Sequence, residues 1–173
     1  DSRIGGLNPN AGVLFEVGVD AAGLGGDNKY FKTNARAIAQ TRVWHEEITL
    51  RASVDVGAFS WQGSGFSRAI DRFVIGPNTF RGFEPAGVGP RDLSNGVNDA
   101  LGGNYYAVAR FEAEFPLGLP EELGLRGGLF YDVGNVWDLS DVNTAGGTIV
   151  GADGSFRHVI GFSLLWTTAC RAQ

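Results

Sequence analysis

Apolar and polar residues alternate one by one in six segments of the chain. The clearest segment runs from Glu47 to Phe59, where apolar residues are separated by polar or charged ones. A period of two residues is the pattern of a β-strand, whereas a helix would spread the charges around its circumference. The sequence therefore predicts strands over residues 13–19, 31–43, 47–59, 104–115, 123–133 and 156–166.

The connections between these strands alternate between long and short. Residues 20–29, 60–103 and 139–155 form long loops, and residues 44–46 and 116–121 form short turns. Most of the strands exceed the usual length of about five or six residues in globular proteins. Long strands with short turns at one end and long loops at the other are typical of an antiparallel transmembrane β-barrel.

In such a barrel the apolar face of each strand meets lipid and the polar face meets the lumen. A soluble sandwich that buries its apolar faces would show the same alternation, and this alternative stays open on the pattern alone. Aromatic residues near the strand ends favour the barrel, because they would form girdles at the membrane interfaces. They are Trp44, Phe59, Trp61, Tyr105, Phe115, Trp137 and Trp166.

Composition narrows the possible functions. The chain has 173 residues, which suit one domain, and a net charge of −5 without a basic stripe, which argues against binding nucleic acid. It holds no run of about 18 apolar residues, so no transmembrane helix is predicted. Cys170 is the single cysteine, so neither a disulfide framework nor a cysteine-based metal site is predicted.

The loop at 60–103 carries the stretch IGPNTFRGF, in which Arg81 stands between aromatic residues and is followed by Gly82. Glu112 and Asp132 lie on the polar faces of the next two predicted strands. If the loop entered the lumen, the planar guanidinium of Arg81 could bind both carboxylates. The alternative, three separate solvated charges, is equally compatible with the spacing.

The order of several motifs resembles the BamA family, whose members are the central β-barrel subunits of the bacterial outer-membrane protein assembly machine. Residues 80–83 match the family's (V/F)RGF/Y loop signature, and residues 89–92 and 99–104 match stretches that follow it. Residues 131–134 resemble the family's xDxG strand motif, with Gly134 as the glycine. The motifs occur together in the family's order, which is more specific than the loop signature alone.

The resemblance implies a fold and a role for each motif residue. Glu112 falls at the position of a lumen-facing glutamate, and Arg81 would be held inside the barrel by Glu112 and Asp132. Phe80, Gly82 and Phe83 would shape the loop tip. The chain, 1–173, would be a partial outer-membrane β-barrel domain that supplies about six strands of a sixteen-stranded barrel with a long lumen-inserting loop.

The implied function is the folding and insertion of β-barrel proteins into the bacterial outer membrane. The implied partners are unfolded outer-membrane protein clients, accessory lipoproteins of the assembly machine and outer-membrane lipid. Neither a catalytic residue nor a metal or other cofactor is expected. The chain starts at Asp1 without a leader, and residues 169–173 resemble neither a strand nor a barrel terminus, so we expect a fragment that is incompetent alone.

Other functions compete with this interpretation. Two-partner-secretion transporters and the translocation-and-assembly-module barrel share the loop and strand motifs, although residues 75–79 and 99–104 favour BamA. A passive porin would also alternate polar and apolar residues. An enzyme is disfavoured, because no GxSxG, HExxH or phosphate-loop motif occurs, and His45 and His158 are expected to be structural.

Overall fold

A computed structural model describes residues 11–23, 28–120, 123–140, 142–143 and 147–167. Those residues form strands and one 3-10 turn, at Ser94–Gly96. The strands are β1 (Gly12–Ala22), β2 (Tyr30–Val43), β3 (Ile48–Trp61), β4 (Arg91–Asp92), β5 (Asp99–Ala100), β6 (Tyr105–Pro116), β7 (Leu125–Trp137), β8 (Ile149–Val150) and β9 (Arg157–Trp166). None of the helical segments among these residues is long or apolar enough to cross a membrane.

The six long strands form one antiparallel sheet in the order β1-β2-β3-β6-β7-β9. Each of the six predicted strands is present, so the all-β prediction is confirmed. The largest difference is at β7, which continues to Trp137 beyond the predicted end at Val133. Gly134 and Asn135 lie beyond that predicted end, but both residues keep their pairing with β6, where they lie opposite Val108 and Ala107.

The apolar face of this sheet is the exposed one. Ile160 and Phe162 on β9 are 80% and 84% exposed, and Phe15 on β1 is 66% exposed. The residues that pack onto the sheet come from the long loop and cover the polar face instead. A soluble sandwich would bury its apolar faces. The arrangement therefore argues against the sandwich and fits a sheet whose apolar face meets lipid.

One aromatic residue does not lie where the girdle prediction put it. Phe59 faces the polar side of β3, is 2% exposed and packs against Tyr30, with 5.3 Å between the ring centroids. It shares that side with Thr49 and Asp55, which stand at alternate positions along the strand. Phe59 therefore belongs to the interior, whereas Trp166 at the end of β9 is exposed, as a girdle residue would be.

The long loop between β3 and β6, residues 62–104, was expected to be irregular but contains paired backbone. Strands β4 and β5 pair with each other, and β4 also pairs with β8 from the connection between β7 and β9. At the base of the loop, the N–H groups of Phe73 and Gly103 each donate to the other residue's carbonyl at 3.0 Å. The loop is thus a folded unit rather than a free connection.

The best-buried apolar cluster lies between the long loop and the polar face. Ile75, Phe80 and Val88 come from the loop, and they pack against Val108 on β6 and Val136 on β7. Phe80 is fully buried. Val108 and Val136 lie on the polar faces of β6 and β7, and they give the loop an apolar surface against which to bury its own side chains.

Gly57 on β3 leaves room for a contact between the sheet and the long loop. We predict that this position does not tolerate a side chain. The Tyr106 ring lies over Gly57 and packs against Phe73 of the loop, at 4.7 Å between centroids. A Cβ on Gly57 would overlap the Tyr106 ring and lie 2.7 Å from Phe73 Cζ. Gly57→Ala should therefore lower the free energy of unfolding by about 1–3 kcal/mol, the usual cost of overpacking.

The measurement is urea unfolding of the full chain from phospholipid bilayers. Gly18→Ala on β1 is the matched control, because the three atoms nearest its Cβ would all belong to the side chain of Asn34, whose end can move aside. We expect the control to change the unfolding free energy by less than about 0.5 kcal/mol. Equal losses for the two variants would show that the packing over Gly57 has no special role.

Candidate functional site

The tip of the long loop is a tight turn that separates the directions of Phe80 and Arg81. The N–H groups of Thr79 and Phe80 donate to the carbonyl of Gly76 at 3.0 and 2.9 Å. Phe80 enters the apolar cluster and packs on Phe83, with 4.8 Å between ring centroids. Arg81 extends toward the strands instead, so one turn supplies both an apolar and a charged contact.

Arg81 forms a two-pronged ion pair with Asp132 on β7. Its Nε donates to Oδ2 at 2.7 Å and its Nη2 donates to Oδ1 at 2.5 Å. The backbone N–H of Arg81 also points to Oδ2, at 3.4 Å. Asp132 is fully buried. A bidentate pair fixes the angle of the guanidinium as well as its position.

Two further groups on neighbouring strands complete the surroundings of Arg81. Its Nη1 donates to Glu112 Oε1 on β6 in a short hydrogen bond. The guanidinium carbon lies 4.0 Å from the centroid of the Phe130 ring, a cation–π contact. Phe130 in turn lies over Gly161 on β9, where a Cβ would overlap its ring. The guanidinium is thus held by two carboxylates and one aromatic face.

Electrostatics keep Arg81 charged in this position. The hydrogen bond to Asp132 raises the pKa of Arg81 above its ordinary value, and the charges of Asp132 and Glu112 add to this against the opposing effect of desolvation. An arginine is protonated near neutral pH in any case. Arg81 therefore carries its positive charge across the physiological pH range.

Glu112 is shared between the loop and β3. Its Oε2 accepts from Arg51 Nη1 at 3.1 Å, while Oε1 faces Arg81. Arg51 also donates to Gln40 on β2 at 3.0 Å and lies 3.8 Å from Glu114. Because Glu112 has partners on both sides, the loop contact continues into the polar face of the sheet.

Arg110 makes a second polar contact between the sheet and the loop. Its Nη1 donates to the backbone carbonyl of Asn78 at 3.0 Å. Its Nε donates to Ser53 Oγ and its Nη2 to Asp55 Oδ2, both at 3.1 Å. Asp55 also pairs with Arg36 on β2 at 3.3 Å. The sheet thus donates to the loop close to where Arg81 donates to the sheet.

The two motif positions, Gly82 and Gly134, require glycine for different structural reasons. Gly82 has a φ of +82°, which favours glycine, and a Cβ there would lie 3.2 Å from Val159 Cγ1 on β9. A Cβ on Gly134 would lie 2.8 Å from both the Ala107 carbonyl oxygen and Val108 Cγ2. A side chain at Gly134 would therefore separate β6 from β7 beside Asp132.

The structure thus brings Arg81, Glu112 and Asp132 together, and Phe80, Gly82, Phe83 and Gly134 surround them. Sequence reasoning missed four contributors to this region, Phe130, Arg51, Arg110 and Asp55. Strand period had placed all four on polar faces, but period alone gives no register, so their partners could not be named.

The two histidines lie outside this region, His45 in the β2–β3 turn and His158 beside Tyr131, whose Oη lies 2.7 Å from His158 Nδ1. Cys170 lies outside the described residues. Within the described part of the chain, no group of three or more His, Cys, Asp or Glu side chains could hold a metal ion.

Comparison with known proteins gives the family. The chain is 34% identical over 161 residues to the outer membrane protein assembly factor BamA of Neorickettsia risticii (strain Illinois). The aligned residues cover 92% of this chain and 21% of that protein. Its fold is similar to the crystal structure of BamA from Haemophilus ducreyi lacking POTRA domains 1–3. That match has a TM-score of 0.77 and 18% identity, and covers 98% of this chain and 35% of the other.

These matches confirm the expected resemblance and the barrel-type sheet, and the chain spans less than half the length of either relative. The family description that matches residues 1–171 is the Omp85 superfamily domain. Because this match includes nearly every residue, the chain belongs to the Omp85 superfamily.

Proposed function

We propose that this chain forms part of the outer-membrane β-barrel of a factor that folds and inserts other β-barrel proteins into the bacterial outer membrane. The observation that carries the proposal is the attachment of the long loop to the polar face through Arg81 and the buried Asp132. A passive pore needs an open lumen, whereas this loop covers the polar face. Membership of the superfamily and the 34% identity to a BamA protein support the same function.

The proposed role is not enzymatic and needs neither metal nor other cofactor. The proposed clients are unfolded outer-membrane proteins, and the proposed partners are accessory lipoproteins and outer-membrane lipid. Contact with lipid is supported by the exposed apolar face, where Phe162 and Leu164 of β9 are 84% and 66% exposed. Burial of such side chains in hydrocarbon is favourable by about 1.5–3 kcal/mol each.

Within this function, Arg81, Glu112 and Asp132 hold the long loop against the polar face, and we call residues 80–83 the loop-anchoring motif. The ion pairs join the loop to β6 and β7, so these three elements move together. Removing one partner of a buried pair costs about 3–5 kcal/mol, because the other charge is left unpaired. A loop held this firmly stiffens the barrel wall on which folding clients would act.

The first prediction of this proposal concerns assembly in cells. We consider cells that express the Arg81→Ala variant and are depleted of the unaltered protein. These cells should contain less folded porin in the outer membrane, because the loop loses its attachment. Heat-modifiable porin bands on semi-native gels measure this directly. Arg68→Ala is the control, since Arg68 is an exposed loop arginine whose ion pair is local, with Asp71 three residues away. Normal porin levels in the Arg81→Ala cells would contradict the proposal.

Conductance separates the proposal from a passive porin. We expect the complete barrel that contains this chain to show small, fluctuating currents in planar bilayers, and we expect these currents to increase in the Arg81→Ala variant, because the displaced loop opens the lumen. A large and steady conductance that the substitution does not change would favour the porin.

The two carboxylates should differ in their contribution to stability. Asp132 is fully buried and binds Arg81 through both oxygens, whereas the side chain of Glu112 is 27% exposed and also pairs with Arg51. Asp132→Asn should therefore lower the unfolding free energy by about 3–5 kcal/mol. Glu112→Gln should cost about 0.5–1.5 kcal/mol, the net worth of one ordinary hydrogen bond.

Urea unfolding from phospholipid bilayers compares the two variants, each of which changes one oxygen to a nitrogen. The isosteric substitutions keep the side-chain volume, so a difference reflects charge and hydrogen bonding alone. A larger loss for Glu112→Gln than for Asp132→Asn would contradict the assignment of Asp132 as the principal partner.

A further inference from the structure

The ion pairs on the polar face divide into two groups. One, the Arg110 group, joins Arg110, Asp55 and Arg36, with two cations and one anion, and so has a charge of +1. The other, the Asp132 group, joins Asp132, Arg81, Glu112, Arg51 and Glu114, with two cations and three anions, and so has a charge of −1. Opposite net charges on neighbouring groups attract each other.

The strand register brings the two groups together at one pair of residues. Arg110 on β6 lies directly opposite Asp132 on β7. Residues so placed on one face have Cβ atoms about 4.5–5.5 Å apart, close enough for an ion pair. Arg110 nevertheless extends the other way, to Ser53 and Asp55 on β3. Asp132, the acid opposite Arg110, is instead bound by Arg81 of the loop.

We infer that Asp55, assisted by Ser53, is a positioning residue that keeps Arg110 away from Asp132 and thereby reserves Asp132 for Arg81. The same two side chains orient Arg110 so that its remaining nitrogen donates to the carbonyl of Asn78 in the loop. Asp55 forms ion pairs with Arg110 and Arg36, and we infer that it acts on the loop through Arg110. This inference deepens the proposed function, on which its biological meaning rests.

Loss of the Asp55 charge would redirect Arg110. Arg36 and Arg110 would lose the anion that they share, and the Arg110 group would change from +1 to +2. Asp132 is fully buried, and both of its oxygens accept from Arg81. A second guanidinium can therefore reach it only by displacing the first. The loop would lose its contacts through Asn78 and through Arg81 in one step.

Hydrogen–deuterium exchange of the full chain in phospholipid vesicles tests this competition. The reporter is the peptide spanning residues 75–87, whose internal hydrogen bonds include those of Thr79, Phe80 and Ala86. Asp55→Asn should quicken exchange in this peptide by about tenfold, within the range of energies that couple contacting residues. Arg110→Met should quicken it less, because Arg81 keeps Asp132.

The double variant D55N/R110M gives the decisive result. If Arg110 is the competitor, its removal abolishes the effect of D55N, and the double variant exchanges like R110M alone, more slowly than D55N. If Asp55 merely adds stability, the two losses accumulate and the double variant exchanges faster than either single one, which would overturn the inference. Unchanged exchange in D55N would overturn it as well.

Two further variants keep the test interpretable. Glu114→Gln removes another acid from the same face of β6, one that pairs with Arg51 and not with Arg110, and should leave exchange of residues 75–87 unchanged. If D55N does not fold, Ser53→Ala, which removes the other group holding Arg110, replaces it with the same expected pattern at smaller size. Exchange reports the loop alone, so normal porin assembly in D55N cells with a loosened loop would contradict the proposed function and leave this inference standing.

Discussion

A carboxylate that is fully buried must find its hydrogen-bond donors within the protein, and Asp132 finds them on a loop rather than on a neighbouring strand. An uncompensated buried charge costs several kcal/mol. The sheet and the loop therefore depend on each other, because the buried carboxylate on β7 would lose these donors if Arg81 were removed. Gly134 allows β6 to lie close beside this carboxylate, and the face of the Phe130 ring packs against the guanidinium.

Apolar packing and charge contribute differently to the loop's position. Five buried side chains form the cluster around Phe80, and burial of each contributes about 1.5–3 kcal/mol. That is more free energy than a satisfied ion pair supplies, but the hydrophobic effect is non-directional. The bidentate contact of Arg81 with Asp132 fixes distance and angle together. The cluster therefore holds the loop down, and the ion pair determines which arrangement of the loop is held.

Strand period predicted the six long strands and the side of each strand on which Glu112 and Asp132 lie, because alternation is a local property of the chain. Register is not local, and the errors follow from that. The fifth strand was predicted to end at Val133, yet pairing with β6 carries β7 on to Trp137. Phe59 suggested a girdle residue, yet it packs on Tyr30 in the interior. Arg51, Arg110 and Asp55 were on the correct face without partners, and the β4–β5–β8 sheet had no periodic signal at all.

Register also explains why the polar face needs more than overall neutrality. Four arginines and four acids are joined there, so their charges cancel. Cancellation alone would allow several pairings, among them the direct one between Arg110 and Asp132 across β6 and β7. With that pairing, the loop arginine would have no buried partner. The observed network avoids it because Ser53 and Asp55 on β3 bind Arg110 from the opposite side. The position of the loop is therefore decided as much by Asp55, which acts through Arg110, as by Asp132, which binds Arg81 directly.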